Sequence, residues 1–438
     1  MNETTNDIQI SEVASELERG PLWLRDKRQS ARESYNNTPV PERGLHLWRY
    51  TDPARFVIDR DIVADTAFGD NYDIVEKQEL ENLSQGHLSA LVTDLGGRDI
   101  NFHGTDNLAK SGAVVMTLSE AVKRYPDLVE KYIYQLVNNQ SGKFEAMNGA
   151  LWNDGIFVYV PDGKTVAQPI HLLRESGLSK SAQFPRLLVV VGENAELTLV
   201  DEYGGGSTDE SDGNSYTNGA VEIFGLADSR TRYVLLQRQA SAATSYLTHR
   251  ARIERGANML TIALAFGGSL SKNNFGVILN GQGAESNMYG LLFGSNHQHF
   301  DNHTLHDHAA GQTRSDIDFK VVLRDRAVSA YTGLIRIDRH AKTCEAYQEN
   351  RNLLLNKGTR AETIPELEIL NEDVRCTHGA TIGPIDPMMV FYLQARGIGY
   401  QDAVRMIVSG FVSDTLKQVP QDLQERLSEY VSQRLEHI

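Results

Sequence analysis

Between about residues 150 and 375, strand-length runs rich in Val, Ile, Leu, Phe and Tyr follow one another with few helical patterns between them. Gly155-Ile-Phe-Val-Tyr-Val160, Arg186-Leu-Leu-Val-Val-Val191, Ala195-Glu-Leu-Thr-Leu-Val200 and Met259-Leu-Thr-Ile-Ala-Leu264 are examples, each bounded by Gly, Asn or Asp. These are the lengths and limits of strands joined by turns. Many strands without crossover helices leave a sandwich, a barrel or a parallel β-helix. A closed barrel of this length would be large. A solenoid accommodates the length without a giant core, because each rung touches only its neighbours. No strict repeat period is visible, so pattern alone leaves the three open.

The flanks read differently. The first 140 residues or so carry helical patterns at the start and again near 117–139, with His87-Leu-Ser-Ala-Leu-Val-Thr93 reading as a strand between them. Thr117-Leu-Ser-Glu120 has the form of a capping box. The helix it opens is expected to break near Pro126 and to resume from Leu128 to Val137. At the other end, Asp386-Pro387 supplies an N-cap and an N1 proline, and Gly397 a helix stop. Tyr400, Ala403, Val404, Ile407, Val408, Phe411 and Val412 then form one apolar helical face. After Pro420, Leu423, Leu427, Val431 and Leu435 mark a last amphipathic helix. Such a stripe packs either on its own domain or on a partner. Three regions are expected: 1–145, mainly helical; 146–384, the β core; 385–438, helical.

Composition narrows the function classes. Lys and Arg total 43 against 58 Asp and Glu, a formal net charge of −15, which disfavours sequence-independent nucleic-acid binding. No apolar run approaches the roughly 20 residues of a membrane helix. The polar, acidic start Met1 to Ser11 lacks the pattern of a secretory signal, so a cytoplasmic protein is expected. The two cysteines, Cys344 and Cys376, make no disulfide framework and cannot hold a four-thiolate cluster within the chain. The Gly/Ser/Asp-rich stretch 204–215 has no Gly-Lys-Ser/Thr and reads as a surface loop.

Two constellations carry chemistry. Five of the 13 histidines fall in His297-Gln-His299-Phe-Asp-Asn-His303-Thr-Leu-His306-Asp-His308. Paired imidazoles on one strand face, with Asp301 and Asp307 nearby, suit a metal site, and His303 and His308 are its candidate ligands. Polar residues satisfied along solenoid turns are the bland alternative. The second is Arg375-Cys376-Thr377-His378-Gly379. In an extended chain Cys376 and His378 point the same way, with Cα atoms roughly 6.5–7 Å apart. That suits two ligands of one small cluster better than one tetrahedral ion; a buried structural thiol is the default. Cys344, in Lys342-Thr-Cys-Glu345, reads as structural.

The C-terminal third carries a long resemblance. Ala346-Tyr-Gln-Glu-Asn-Arg-Asn-Leu-Leu-Leu355, Glu362-Thr-Ile-Pro-Glu-Leu-Glu-Ile369, Asp373-Val-Arg-Cys-Thr-His-Gly-Ala-Thr381 and Phe391-Tyr-Leu-Gln-Ala-Arg-Gly397 resemble the signature region of the SufB/SufD family of iron–sulfur cluster assembly proteins. Leu47-Trp-Arg-Tyr-Thr51, Met147-Asn-Gly-Ala-Leu-Trp-Asn-Asp-Gly-Ile-Phe-Val-Tyr-Val-Pro161, Gln168-Pro-Ile-His171, Asp301-Asn-His-Thr304 and Asp307-His308 resemble upstream family segments. The resemblance spans about residues 45 to 415. Where SufB proteins carry a cysteine and flanking acids, this chain has Thr359, Thr377 and Gly379, so it resembles the SufD side.

The resemblance implies a right-handed parallel β-helix core between a helical N-terminal region and a helical C-terminal domain. It implies a scaffold rather than an enzyme, pairing with a SufB-like paralogue through the β-helices and with a SufC ATPase through the C-terminal helices. It also allows a homodimer of the chain in isolation. A transient cluster or iron would be shared with SufB, with His378 and Cys376 as its binding candidates. Phe391, Tyr400, Val404, Ile407, Val408 and Phe411 are the SufC-contact candidates. A reduced flavin accompanies some such complexes, but no pattern in the chain locates one. The competing expectation is a metal-dependent β-helix or cupin-like enzyme built on His297, His299 and His303; another is a structural relative that binds SufC but no cluster.

Overall fold

The computed structural model describes residues 20–58, 71–96, 99–176, 181–205 and 215–436. Met1 to Ser11 and most of the stretch 204–215 lie outside these. The strands wind into a parallel β-solenoid in which each turn gives one strand to each of two sheets. One sheet runs through Ile170–Ser176, Glu196–Gly205, Arg230–Gln237, Asn258–Ala265, Glu285–Gly294, Arg314–Leu323, Cys344–Leu354 and Val374–Pro384. The other runs through Ile156–Val160, Arg186–Val191, Tyr216–Gly225, Thr244–Ile253, Leu270–Leu279, His299–His308, Val328–Ile337 and Arg360–Ile369. The short Ala182–Gln183 strand pairs with Tyr216–Gly225 off this path. The antiparallel pairings, Ala90–Leu95 with Asp99–His103 and Val114–Thr117 with Ile156–Val160, sit at the N-terminal end.

The missing repeat period has a simple cause. Thr261 pairs in register with Met288, 27 residues on, whereas Ile317 pairs with Gln348, 31 on. Turns of varying length keep the rungs in register but erase a fixed period from the sequence. The corners explain the Asn and Asp between strands. Asn194, Asp228, Asn296 and Asp325 adopt positive φ of 54°, 58°, 53° and 60°, which short polar side chains tolerate better than most. The same side chains link successive corners: Asn296 N–H donates to Asp325 (2.8 Å) and Asp325 N–H to Asn356 (2.6 Å).

Alternation along each strand divides lumen from outer face. Apolar residues fill much of the lumen, including Leu199, Tyr233, Leu247, Phe275, Met288 and Ile317. A buried amide and hydroxyl stack runs beside them, in which Gln237 donates to Ser245 and Ser271, and Asn273 donates to Gln237 and Asn302. Helices cover the outer faces. On one side, Tyr400–Leu416 and Gln421–Leu435 lay Val404, Val408, Val412, Leu427, Val431 and Leu435 onto Val234, Ile262, Leu264, Leu291, Phe293 and Val322. Each such side chain contributes roughly 1.5–3 kcal/mol by its burial. On the other, Leu22–Asn37 and Lys143–Leu151 close over the second sheet, where Trp48, Phe56, Phe144 and Tyr246 form an aromatic cluster.

Local expectations are refined in places. The strand read at 87–93 is Ala90–Leu95. Thr117 caps the helix Leu118–Arg124 by accepting from Glu120 N–H at 3.2 Å, and Pro126 opens the next helix. That helix stops at Tyr132 instead of continuing to Val137. Ile133 and Val137 remain fully buried, but the backbone turns because the Glu222 carboxylate accepts the N–H groups of Tyr134, Leu136 and Val137 at 2.8–3.2 Å. A carboxylate from a distant strand thus replaces the helical hydrogen bonds, which local periodicity cannot reveal.

Candidate functional site

The strand Val374–Pro384 ends its sheet and Arg360–Ile369 ends the other. Among the described residues neither has a further strand neighbour; Val374–Pro384 is largely exposed and Arg360–Ile369 largely half-buried, where the preceding rungs are mostly buried. On the terminal strand, Cys376 pairs in register with Ala346 and His378 with Gln348. Ala346 and Gln348 are buried and face the lumen, so Cys376 and His378 share the lumen face at its open end. His378 is exposed and Cys376 half-buried.

The environment around the pair differs sharply across those two positions. Cys376 lies against Ile335, Ile337, Ala341 and Cys344, and burial pushes its thiol up to about 11. It is a neutral thiol at neutral pH, and only a cation or metal brought to it would favour the thiolate. Gln348 donates to Gly333 O at 3.2 Å, while its Oε1 has no partner. Cys344 is buried, with its sulfur 3.2 Å from Thr313 Oγ1. It pairs in register with Val374, two residues from Cys376, which sets the two Cα atoms about 8 Å apart, too far for a disulfide without backbone movement.

The histidine-rich strand His299–His308 does not gather its imidazoles, which corrects the expected metal site at His303 and His308. Among the described residues there is no group of three or more His, Cys, Asp or Glu placed to hold a metal ion. The strand alternates: His303 points to the outer face, while His306 and His308 point into the lumen. His308 is held between Thr313 (2.7 Å) and Ser315 (2.9 Å), and burial lowers it to about 4. His306 meets Ser286 at 3.1 Å. His297 is an exposed turn residue.

The outer face of this strand serves a purpose that sequence reasoning missed: it docks the segment 47–51. Lys272 Nζ donates to Leu47 O (2.8 Å) and to Asp301 (2.8 Å), and lies 2.7 Å from His303 Nε2 and 4.7 Å from the Trp48 ring centroid. The Thr51 hydroxyl donates to Asp301 at 2.5 Å and accepts from His299 at 3.1 Å. Burial alone would raise the Asp301 carboxyl, but the Lys272 ammonium and His303 hold it far below the ordinary carboxylate range. The signal was present in two separate segments, Leu47–Thr51 and Asp301–Thr304, but nothing in one sequence says that they meet.

The expected SufC-contact residues separate by face. Val404 and Val408 are buried against the chain's own solenoid, so they cannot touch a partner, and Ile407 and Phe411 are half-buried. This corrects the reading of the whole stripe as a docking face: upstream strands present a complementary apolar wall that the stripe alone does not disclose. Phe391 and Tyr400 are 62% and 61% exposed, and Met388, Met389, Tyr392 and Met406 are exposed beside them in sequence. The helix Pro387–Gln394 that carries most of them is capped by Asp386, which accepts from Met388 N–H at 2.9 Å. Among the described residues no helix is long and apolar enough to cross a membrane.

Comparison with known proteins agrees with this architecture. Residues 173–411 match the family described as SUF system FeS cluster assembly, SufBD core domain, and residues 17–172 match the SufBD protein N-terminal region. The chain is 25% identical over 433 residues to the iron–sulfur cluster assembly protein SufB of Bacillus subtilis, covering 98% of this chain and 92% of that protein. It is 23% identical over 432 residues to an iron–sulfur cluster assembly SufBD family protein of Staphylococcus epidermidis, with 98% and 92% covered. A parallel solenoid flanked by helices, matched from residue 17 to 411 by the two family regions, makes this chain a member of the SufBD family of SUF-system iron–sulfur cluster assembly proteins.

Proposed function

We propose that this chain is a SufD-type scaffold subunit, working in the cytoplasm, which pairs with a SufB-like paralogue through the open end of its solenoid and binds a SufC-type ATPase through its C-terminal helices. The observation that carries the reading is the placement of His378 and Cys376 side by side on the uncovered terminal strand. An exposed imidazole there can reach iron or a nascent cluster as cargo, and thiolates from the facing subunit would complete the ligand set. Thr359, Thr377 and Gly379, which replace the SufB-type residues, support SufD over SufB. The residues 385–438 act in this reading as the ATPase-binding region, with 146–384 as the core and 1–145 as its N-terminal cover.

The test is anaerobic reconstitution of the three-subunit complex with cluster absorbance measured per complex. His378→Ala should leave the complex assembled and lower cluster yield several-fold. Cys376→Ser should cost less, because a neutral thiol contributes little until a metal arrives and the imidazole remains. Equal yields from wild type and His378→Ala would leave a purely structural scaffold.

A further inference from the structure

The chain contains the pairs Asn148-Gly149, Asn218-Gly219 and Asn280-Gly281. An asparagine followed by glycine is chemically labile, because the following backbone nitrogen can close a ring onto the asparagine Cγ when no Cβ hinders the turn. The structure treats the three pairs differently. Asn148 lies inside the helix Lys143–Leu151 and is fully buried. Its Nδ2 donates to Pro185 O at 3.1 Å and Asn218 O at 2.8 Å, and its Oδ1 accepts from Arg186 at 3.1 Å. Asn218 lies inside the strand Tyr216–Gly225, buried, with Nδ2 donating to Phe144 O at 2.9 Å, and Gly219 pairs in register with Leu247. Neither pair can close a ring without breaking its helix or strand.

Asn280 is placed otherwise. It follows the strand Leu270–Leu279 at a solenoid corner, half-buried, with Gln282 and Gly283 exposed just beyond. Its side chain is held by one bond, from Nδ2 to Glu254 on the preceding turn at 2.8 Å. Among the described residues no hydrogen bond uses the Gly281 N–H, so the attacking nitrogen is free. Glycine is also forced at 281: a Cβ there would stand 1.9 Å from Arg255 N. Close stacking of consecutive corners thus demands the residue that makes Asn280 reactive.

We propose that Asn280 is a site of spontaneous deamidation, and that its isoaspartyl product is a substrate for carboxyl methylation by an isoaspartate repair enzyme. The Gly281 nitrogen loses its proton and bonds to Asn280 Cγ. The Cγ–Nδ2 bond breaks and ammonia leaves with that proton, giving a succinimide. Water then opens the ring at one carbonyl or the other, yielding aspartate or isoaspartate. Either product replaces an amide donor by a carboxylate facing Glu254, so the link between the two turns becomes a repulsion.

The test is a timed incubation of the full chain in mildly alkaline buffer, with peptide mapping by mass spectrometry. The peptide carrying residue 280 should deamidate at least about tenfold faster than those carrying Asn148 and Asn218, which react only through local opening. In urea all three should convert at similar rates. The residue-280 peptide should also take up labelled methyl groups from an isoaspartate methyltransferase. Asn280→Gln keeps an amide but cannot form the same ring, and both signals should vanish from that peptide. An Asn280 that stays intact while the urea-unfolded chain loses it overturns the proposal. So do buried pairs that keep pace with it, or a converted peptide that takes no methyl label.

Discussion

Buried charge in this chain docks segments that are distant in sequence. Lys272 and Asp301 hold residues 47–51, Glu222 with Arg186 holds the turn after Tyr132, and His171 holds the helix Asn71–Ser84. His171 is 1% exposed and lies 3.0 Å from both Glu79 on that helix and Glu202 on the sheet, with Arg238 pairing Glu202 in turn. Burial alone would lower the imidazole, but the two carboxylates raise it to about 9 from an ordinary 6.5. A raised folded value means that the stabilisation is complete below about pH 6.5 and is lost as pH rises through 9. Neighbouring Glu175, raised to about 7 chiefly by burial, loses its own contribution lower, between its ordinary 4.5 and 7, so the window from 7 to 9 belongs to His171. Hydrogen-exchange protection of Asn71–Ser84 should therefore fall across that window in the wild type. In His171→Gln it should be low and flat there. Protection in the wild type that holds level past pH 9 would contradict the imidazolium as the docking pin.

At the scale of elements, helices and strands were legible where local chemistry alone decides them. The runs at 156–160 and 186–191 are nearly continuous apolar stretches that stop at turn residues, and the Asp386–Pro387 start needs only its own cap. The face each element turns to solvent was not legible, because it depends on what lies opposite. The Val404 and Val408 stripe is an ordinary amphipathic helix until Ile262, Leu264 and Phe293 are seen to wait beneath it. The histidine cluster likewise reads as one site until strand alternation sends His303 outward and His308 inward. The proposed ATPase contact is therefore best tested on the exposed helix Pro387–Gln394. Removing residues 386–438 would strip the cover from a long apolar wall and expose it to aggregation, so loss of binding in that truncation would mean little. Phe391→Ala with Tyr392→Ala alters only exposed side chains and should leave the unfolding midpoint within a degree or two. Affinity for the ATPase should fall at least tenfold, since exposed aromatics dominate such contacts. Unchanged affinity in calorimetry would exclude this helix as the docking face.

Over the whole molecule, cover is distributed unevenly. Helices close the outer faces of the middle rungs on both sheets, whereas Arg360–Ile369 and Val374–Pro384 end the sheets and, with Leu370 just after the first, carry Ile369, Leu370 and Ile382 at 39–51% exposure. Two adjacent open strand edges with exposed apolar side chains favour association with another sheet end, and the same end bears Cys376 and His378. A solenoid finished by partner strands would bury the apolar side chains, satisfy the free backbone groups and enclose the imidazole beside incoming ligands in one step. We expect the full chain alone to self-associate through this end, and a SufB-like paralogue to displace that contact. Ile369→Lys with Ile382→Lys places two charges at the contact, on side chains that are 39% and 46% exposed. Light scattering after size exclusion should report a dimer for the wild type and a monomer for the variant, with circular dichroism unchanged, and the variant should fail to capture the paralogue. A variant that still forms both assemblies would mean that the chain pairs through another surface, and His378 would then stand away from any shared cluster.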